Sequence, residues 1–337
     1  YSYCYATDLM DLPLIESEID SVFNSDKQAI NIESGDYLNR SSIIIDKRFI
    51  NKKINGLGSV RIFSIHKGPV FKIQNSDKMQ LANFTLKSVD TNNQDATIGY
   101  YLSDTGSDDE SKLNGSTAIS VVDSSNVVIS NNDISGYWRG IHISFNHRSS
   151  SNNIIRNNRI HDCGYWSIAA HHPVRREDDT SRLSNIEFRG NNISRCEQGP
   201  VYRGVSKSVI ETNDIYNNIS GVRIEQSNNI DIKNNKIHDN LKMGILIYHY
   251  SSNNQVLLNA IYNNNMQAIK ISKIAAKYGI DQKYLPGDLV CFDRLSQKEV
   301  SQYANIVRSR KRFFDLNKDF WPYPTAYEHI TPGLKYG

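Results

Sequence analysis

The sequence is poor in the residues that break or cross-link a chain. Only eight prolines and four cysteines occur among 337 residues. The cysteines (Cys4, Cys163, Cys196 and Cys291) fit no metal-ligand spacing such as C-x-x-C, so no metal site is expected from them. No apolar run approaches the roughly 18 residues needed to span a bilayer, so a soluble protein with no membrane partner is expected. Neither charge sign is in large excess. The net charge of +3 argues against a dedicated nucleic-acid binder, whose affinity depends on concentrated basic charge. No secretory leader is visible. The opening "YSYCYATDLMD" is compatible with a mature end left after cleavage, so that absence excludes little. Helix-period stretches are also rare. Asparagine, by contrast, is abundant, and the composition predicts many short strands joined by polar turns.

What is present is an internal repeat. "NVVISNNDISG" from Asn126, "NNIIRNNRIHD" from Asn152 and "SNIEFRGNNIS" from Ser184 resemble one another. "KSVIETNDIYN" from Lys207, "NNIDIKNNKIH" from Asn228 and "NNQVLLNAIYN" from Asn253 continue the series. The isoleucines after the asparagine turns, Ile134, Ile160, Ile193, Ile215, Ile237 and Ile261, are spaced by 26, 33, 22, 22 and 24. A unit of about 22 residues carrying three short strands predicts an all-β chain, a right-handed parallel β-helix. Two residues before each isoleucine stand Asn132, Asn158, Asn191, Asn213, Asn235 and Asn259. Coils stack about 4.8 Å apart, so these side chains form a ladder, for which an amide that both donates and accepts is suited.

The irregular spacings locate insertions. "PVFKIQNSDKMQLANFTL" from Pro69 recurs 48 residues later as "TAISVVDSSNVVISNNDI", which places an inserted loop near residues 90–115. The spacing of 33 places another near 172–182. Residues 1–27 hold "LIESEIDSVFN", a helix expected to cap the open end of the stack. Residues 28–272 form the β-helix, and 273–337 lose the repeat and cap or wrap the last coils. Within that tail, "RSRKR" at Arg308 to Arg312 reads as a solvated helix face or a contact for an anionic polymer. Cys163 and Cys196 each lie three residues after a ladder isoleucine, near enough for a disulfide or for two stacked buried thiols.

In each unit the strand after the isoleucine alternates: "GIHIS", "SIAAH", "PVYRG", "GVRIE", "GILIY", "AIKIS". Outward positions follow the period-two rule. One outward column is expected to be His142, Ala169, Tyr202, Arg223, Leu246 and Lys270. The next is Ser144, His171, Gly204, Glu225, Tyr248 and Ser272. "PVYRG" fits least well, since Arg203 would point inward unless the strand bulges. A face that collects two histidines, two tyrosines, Arg223 and Lys270 points to function. Trp138 and Trp166 flank it on successive coils, either as packing or as platforms for sugar rings.

On the coil length, the asparagine ladder and this face, about residues 28–272 resemble the pectate-lyase-like parallel β-helix superfamily of carbohydrate-active proteins. The resemblance implies a groove beside this strand and a reaction among polysaccharide lyases, hydrolases and uronate C5-epimerases. Fold does not choose among them.

Residue types favour β-elimination from a uronic acid in an acidic polysaccharide. Glycoside hydrolysis needs two carboxyl groups, and the face offers only Glu225 unless Glu177, Asp178 and Asp179 fold over it. Elimination needs a cation on the carboxylate, a base for the C5 proton and an acid for the leaving oxygen. Arg223 suits the first role. His171 is the base, with Tyr202 or Lys270 as alternatives, and Tyr248 the acid. His142, His172, Arg175, Arg176, Glu225, Lys270, Trp138 and Trp166 are expected to line the subsites. No cofactor is required. Calcium is the family's other way to neutralise the carboxylate, and "SDTGSDDE", Ser103 to Glu110, holds oxygen ligands without EF-hand spacing. An epimerase would share the first half of this chemistry. The Asp-Pro-His-Asp motif of alginate epimerases of this fold is replaced here by "AHHPVRRED", without the leading aspartate. A non-catalytic polysaccharide-binding solenoid is the remaining class. The expected protein is a secreted, monomeric lyase.

Overall fold

The computed structural model describes residues 9–23, 27–66, 68–89, 116–171, 183–248, 251–265 and 267–271. The expected loops near 90–115 and 172–182, the calcium candidate Ser103–Glu110, the tail 273–337, Cys4 and Cys291 lie outside them. Helix α1, Ile15–Phe23, opens the stack. Ile15 and Ile19 are buried against the first coil, while Glu16 Oε1 accepts from the backbone N–H groups of Arg40 and Ser41. That covers apolar surface which a solenoid end would otherwise leave open.

The chain then winds as a parallel β-solenoid of about eight turns. One nine-stranded sheet forms one face. The other two faces belong to a sixteen-stranded sheet whose arms join at the long strand Gln80–Ser88. Isoleucine after isoleucine stacks in register, as in Ile134, Ile160, Ile193, Ile215, Ile237 and Ile261, and one continuous apolar core runs along the axis.

The asparagine ladder takes the expected positions. Each Nδ2 from Asn132 to Asn235 donates to the Oδ1 of the next rung at 2.9–3.1 Å, as in Asn213 to Asn235 at 2.9 Å. The same Oδ1 also accepts the backbone N–H of the preceding rung's residue. The residue before each rung explains the Asn-Asn doublets. Asn131, Asn157, Gly190, Thr212, Asn234 and Leu258 all have φ between 54° and 61°. That is the left-handed region, which asparagine and glycine tolerate best. The first asparagine of a doublet makes the corner, and the second makes the rung.

A second ladder, Asn218, Asn240 and Asn264, runs along the next corner and ends on Cys196, whose N–H donates to Asn218 Oδ1 at 2.9 Å. Cys163 and Cys196 are both free and buried, so of the two arrangements expected for them it is the stacked thiols that the structure contains. The neighbouring Cys196 thiol and burial together push the Cys163 thiol well above its ordinary value.

Outside the core, histidines staple adjacent coils. His161 Nε2 is 3.0 Å from Asp133 Oδ1, and its Nδ1 is 2.5 Å from Asp162 Oδ2. Asp133 first, then Asp162, raise the imidazole above its ordinary 6.5. A histidine bound more tightly as the cation contributes stability that is complete below its unfolded pKa. The contribution disappears as pH rises through the folded one. The stability difference between wild type and His161→Gln is therefore expected to be largest at mildly acidic pH and to shrink through neutrality. Chemical denaturation across that range checks it, and a pH-independent difference would overturn it.

Candidate active site

The nine-stranded sheet carries the face singled out by the sequence. Its strands Arg139–Ser144, Trp166–His171, Gln198–Arg203, Val222–Glu225 and Met243–Tyr248 pair in parallel order. Each begins near a column of small residues. A Cβ on Gly140, Gly199, Gly221 or Gly244 would lie 2.2–2.6 Å from a carbonyl oxygen of the following coil. Only glycine allows the backbones to approach so closely there.

That column corrects the expected register. Gly199, not Pro200, is the counterpart of Gly221, so the strand sits one residue from its expected alignment. Ala169 faces Val201, Ala170 faces Tyr202 and His171 faces Arg203. Tyr202 therefore points inward and is fully buried, with the small Ala170 beside it in the preceding coil. Its hydroxyl donates to the carbonyls of Ile186 and Val209 (2.8 and 2.9 Å), and burial pushes its pKa well up. It cannot serve as a base. Arg203 points outward in its place, and the working column becomes His171, Arg203, Glu225 and Tyr248.

From His171 to Glu225 the side chains of this column touch. Arg203 Nη1 is 3.2 Å from His171 Nε2, and Arg203 Nε is 3.4 Å from Glu225 Oε1. Arg223, on the same strand as Glu225, donates from Nη2 to Oε2 at 2.9 Å. Glu225 is nearly enclosed, with side-chain exposure of 5%, whereas Arg203 and Arg223 keep 15% and 22%. Glu225, expected among the subsite residues, thus pairs with both guanidiniums. Arg203 was not anticipated as a site residue, although aligning the strands on glycine would have found it.

The flanking tryptophans are also corrected. Trp138 and Trp166 are buried, at 1% and 4% exposure, and offer no open ring face to a sugar. Trp166 stacks on Tyr165 (centroids 4.4 Å), lies under the Arg139 guanidinium (5.0 Å) and packs against His171 (4.6 Å) and His142 (5.9 Å). It packs with Ala169 and Val201, whose small or short side chains leave room for it. Its effect is electrostatic as well as steric, because it walls two imidazoles from water. Burial, then Arg139, pulls His142 down to about 3. Burial, followed by His142, Arg203, Arg139 and Arg223, holds His171 well below the ordinary histidine value. Both are neutral at physiological pH. His142 sits in the wall, and its Nε2 is enclosed without a hydrogen-bond partner among the described residues.

A further group had no signal in the sequence. Glu197, at the corner before Gln198–Arg203, is part-exposed as a residue, but its Oε2 is fully enclosed. Burial raises this carboxyl to about 8 against the opposing pull of Gln198, Arg223 and Lys242.

Of the remaining expected residues, Tyr248 and Lys270 are placed by backbone register alone, opposite Glu225 and Leu246. His172, Arg175, Arg176, Glu177, Asp178 and Asp179 lie outside the described residues. No three His, Cys, Asp or Glu side chains converge as metal ligands among the described residues. Likewise, no helix among them is long and apolar enough to cross a membrane.

The comparisons agree with this architecture. A family model described as a right-handed beta helix region matches residues 169–282. No curated protein matches in sequence. Among solved structures, the A-module of Azotobacter vinelandii mannuronan C-5 epimerase AlgE4 superposes with a TM-score of 0.54 at 13% identity, covering 76% of this chain and 68% of that one. The AlgE6 A-module from the same organism gives 0.52 at 14%, over 79% and 77%. DFA-IIIase from Arthrobacter chlorophenolicus A6, in complex with GF2, gives 0.52 at 15%, over 76% and 71%. At such identities the likeness is one of fold.

Proposed function

We propose that this protein is a polysaccharide lyase that cleaves a uronate-containing polymer by β-elimination. The observation that carries the reading is the contact between a neutral imidazole, His171, and the part-exposed guanidinium of Arg203, beside which Arg223 shares Glu225. Counting Arg139 with them against Glu225, the cluster carries three positive charges and one negative. That balance favours an anionic group on this face. The two guanidiniums bind the substrate carboxylate and disperse the charge that develops as C5 loses its proton. His171 Nε2 takes that proton. The electron pair of the C5–H bond forms the C4–C5 double bond, the C4–O4 bond breaks, and O4 takes a proton from an acid. Tyr248, one coil beyond Glu225 and two beyond Arg203 in the same column, is the candidate for that acid.

His142 completes the wall, while Lys270, His172, Arg175 and Arg176 extend the subsites along an acidic chain. In this scheme the arginines fill the neutralising role that calcium fills elsewhere in the superfamily, so activity is expected to survive a chelator. The arrangement also resembles a secreted lyase that trims a Vibrio biofilm-matrix polysaccharide. We infer a secreted monomer and a biofilm or capsular substrate.

A second reading has its own support. Glycoside hydrolysis needs two carboxyl groups, and Glu225, paired with Arg223, and Glu197, raised by burial against the pull of Arg223, are the two that Arg223 influences. The products separate the two. Incubated with a panel of uronate polymers, the lyase yields chain ends with a double bond that absorbs in the ultraviolet. Saturated ends alone would overturn elimination in favour of hydrolysis.

A further inference from the structure

In the arrangement described, the nitrogen lone pair that His171 would use as a base is already engaged. A guanidinium has donors only, so at the 3.2 Å contact Arg203 Nη1 donates and His171 Nε2 accepts. The neutral imidazole therefore carries its proton on Nδ1. The same guanidinium is one of the two part-exposed positive heads on the face. Arg203 Nε also lies 3.4 Å from Glu225 Oε1 and 3.3 Å from Gln226 Oε1, while Glu225 is engaged more closely by Arg223 at 2.9 Å.

We propose that Arg203 caps His171 and that an ionised substrate carboxylate removes the cap, so that the substrate's own charge releases the base. The inference rests on the carboxylate-binding reading above and makes Arg203 its specificity-determining residue. A guanidinium donating to a neutral nitrogen forms a weaker pair than one facing a carboxylate, where the bond is charge-assisted and can be bidentate. A uronate entering beside Arg203 therefore competes successfully for it. An esterified uronate presents only a neutral carbonyl, which leaves Arg203 on Nε2. Selection for the free acid then appears in kcat more than in KM, because the ester can occupy the face without freeing the base. A methyl-esterified polymer is expected to lose about 100-fold in kcat, the lower end of what a positioned base contributes.

The test needs no turnover. In the full chain labelled with nitrogen-15, the His171 Nε2 resonance reports whether its lone pair is bonded or free. Sodium glucuronate is expected to move it towards the free position in wild type, and methyl glucuronate, the uncharged ester, to leave it in place. Arg203→Met, which keeps the length of the stem, is expected to show the free position with no ligand present. An Nε2 resonance unmoved by glucuronate at its solubility limit would overturn the proposal. So would a folded Arg203→Met whose Nε2 stays at the wild-type position. If glucuronate frees Nε2 yet no polymer yields unsaturated ends, the cap stands and the elimination reading falls.

Discussion

Replacing His171 with alanine is expected to lower kcat for the uronate polymer by about 10²- to 10⁴-fold, the range a positioned proton acceptor supplies. KM should change little, since the carboxylate is held by Arg203 and Arg223 rather than by the imidazole. The pH profile supplies the second half of the prediction. Burial and the neighbouring positive charges keep His171 neutral well below the ordinary histidine range. A base works when unprotonated, so kcat/KM of the wild type, which reports the free enzyme with Arg203 still on His171, should hold from neutral pH into acid and fall only below that range. The acid limb is the signature of this particular residue. A wild type that loses activity as pH falls through 6.5, with His171→Ala retaining near-normal kcat, would remove His171 from the mechanism. Unchanged thermal unfolding of the variant excludes a folding defect.

Alanine at Asn213 is expected to destabilise the protein by about 4 kcal/mol, at the upper end of single-substitution effects. Asn213 is almost fully buried and stands in the middle of the ladder. Its Nδ2 donates to Asn235 Oδ1 and Phe188 O, at 2.9 and 2.8 Å. Its Oδ1 accepts from Asn191 N and Nδ2, at 2.8 and 3.0 Å. Alanine removes all four bonds at once and leaves buried partners in two coils without them, where water cannot substitute. Because each coil is stabilised by its neighbours, a break in the middle should also weaken cooperativity between the two ends. Urea denaturation monitored by circular dichroism would show a lower midpoint and a broader transition. A midpoint within error of wild type would mean that the ladder is ornament rather than support.

The coil, its length and the ladder were legible in the sequence because they repeat. A residue such as Asn213 has the same neighbours as Asn191 and Asn235, so the chain states one local rule many times. The second corner ladder was harder to see, because Asn218, Asn240 and Asn264 continue a column that ends on Cys196 and so breaks the apparent pattern. On the working face the alternation identified His142, His171, Arg223 and Glu225 as one outward group. It failed at "GPVYRG", where starting from Pro200 rather than Gly199 exchanged Tyr202 for Arg203. Period two makes such a slip total, since one residue moves every side chain to the opposite face.

Periodicity in the sequence, then, determined that this chain is a β-solenoid, which strands share a face and which residue types that face collects. Tertiary structure alone decided that Tyr202 is core, that Trp166 walls off His142 and His171, that burial raises the Glu197 carboxyl and that Arg203 lies between His171 and Glu225. The physical reason is one of range. Hydrogen bonding and burial along a repeat depend on local pattern, and a sequence displays that directly. The charge state and partners of a side chain depend on what neighbouring coils place within a few ångströms, and only the stacked chain brings those groups together.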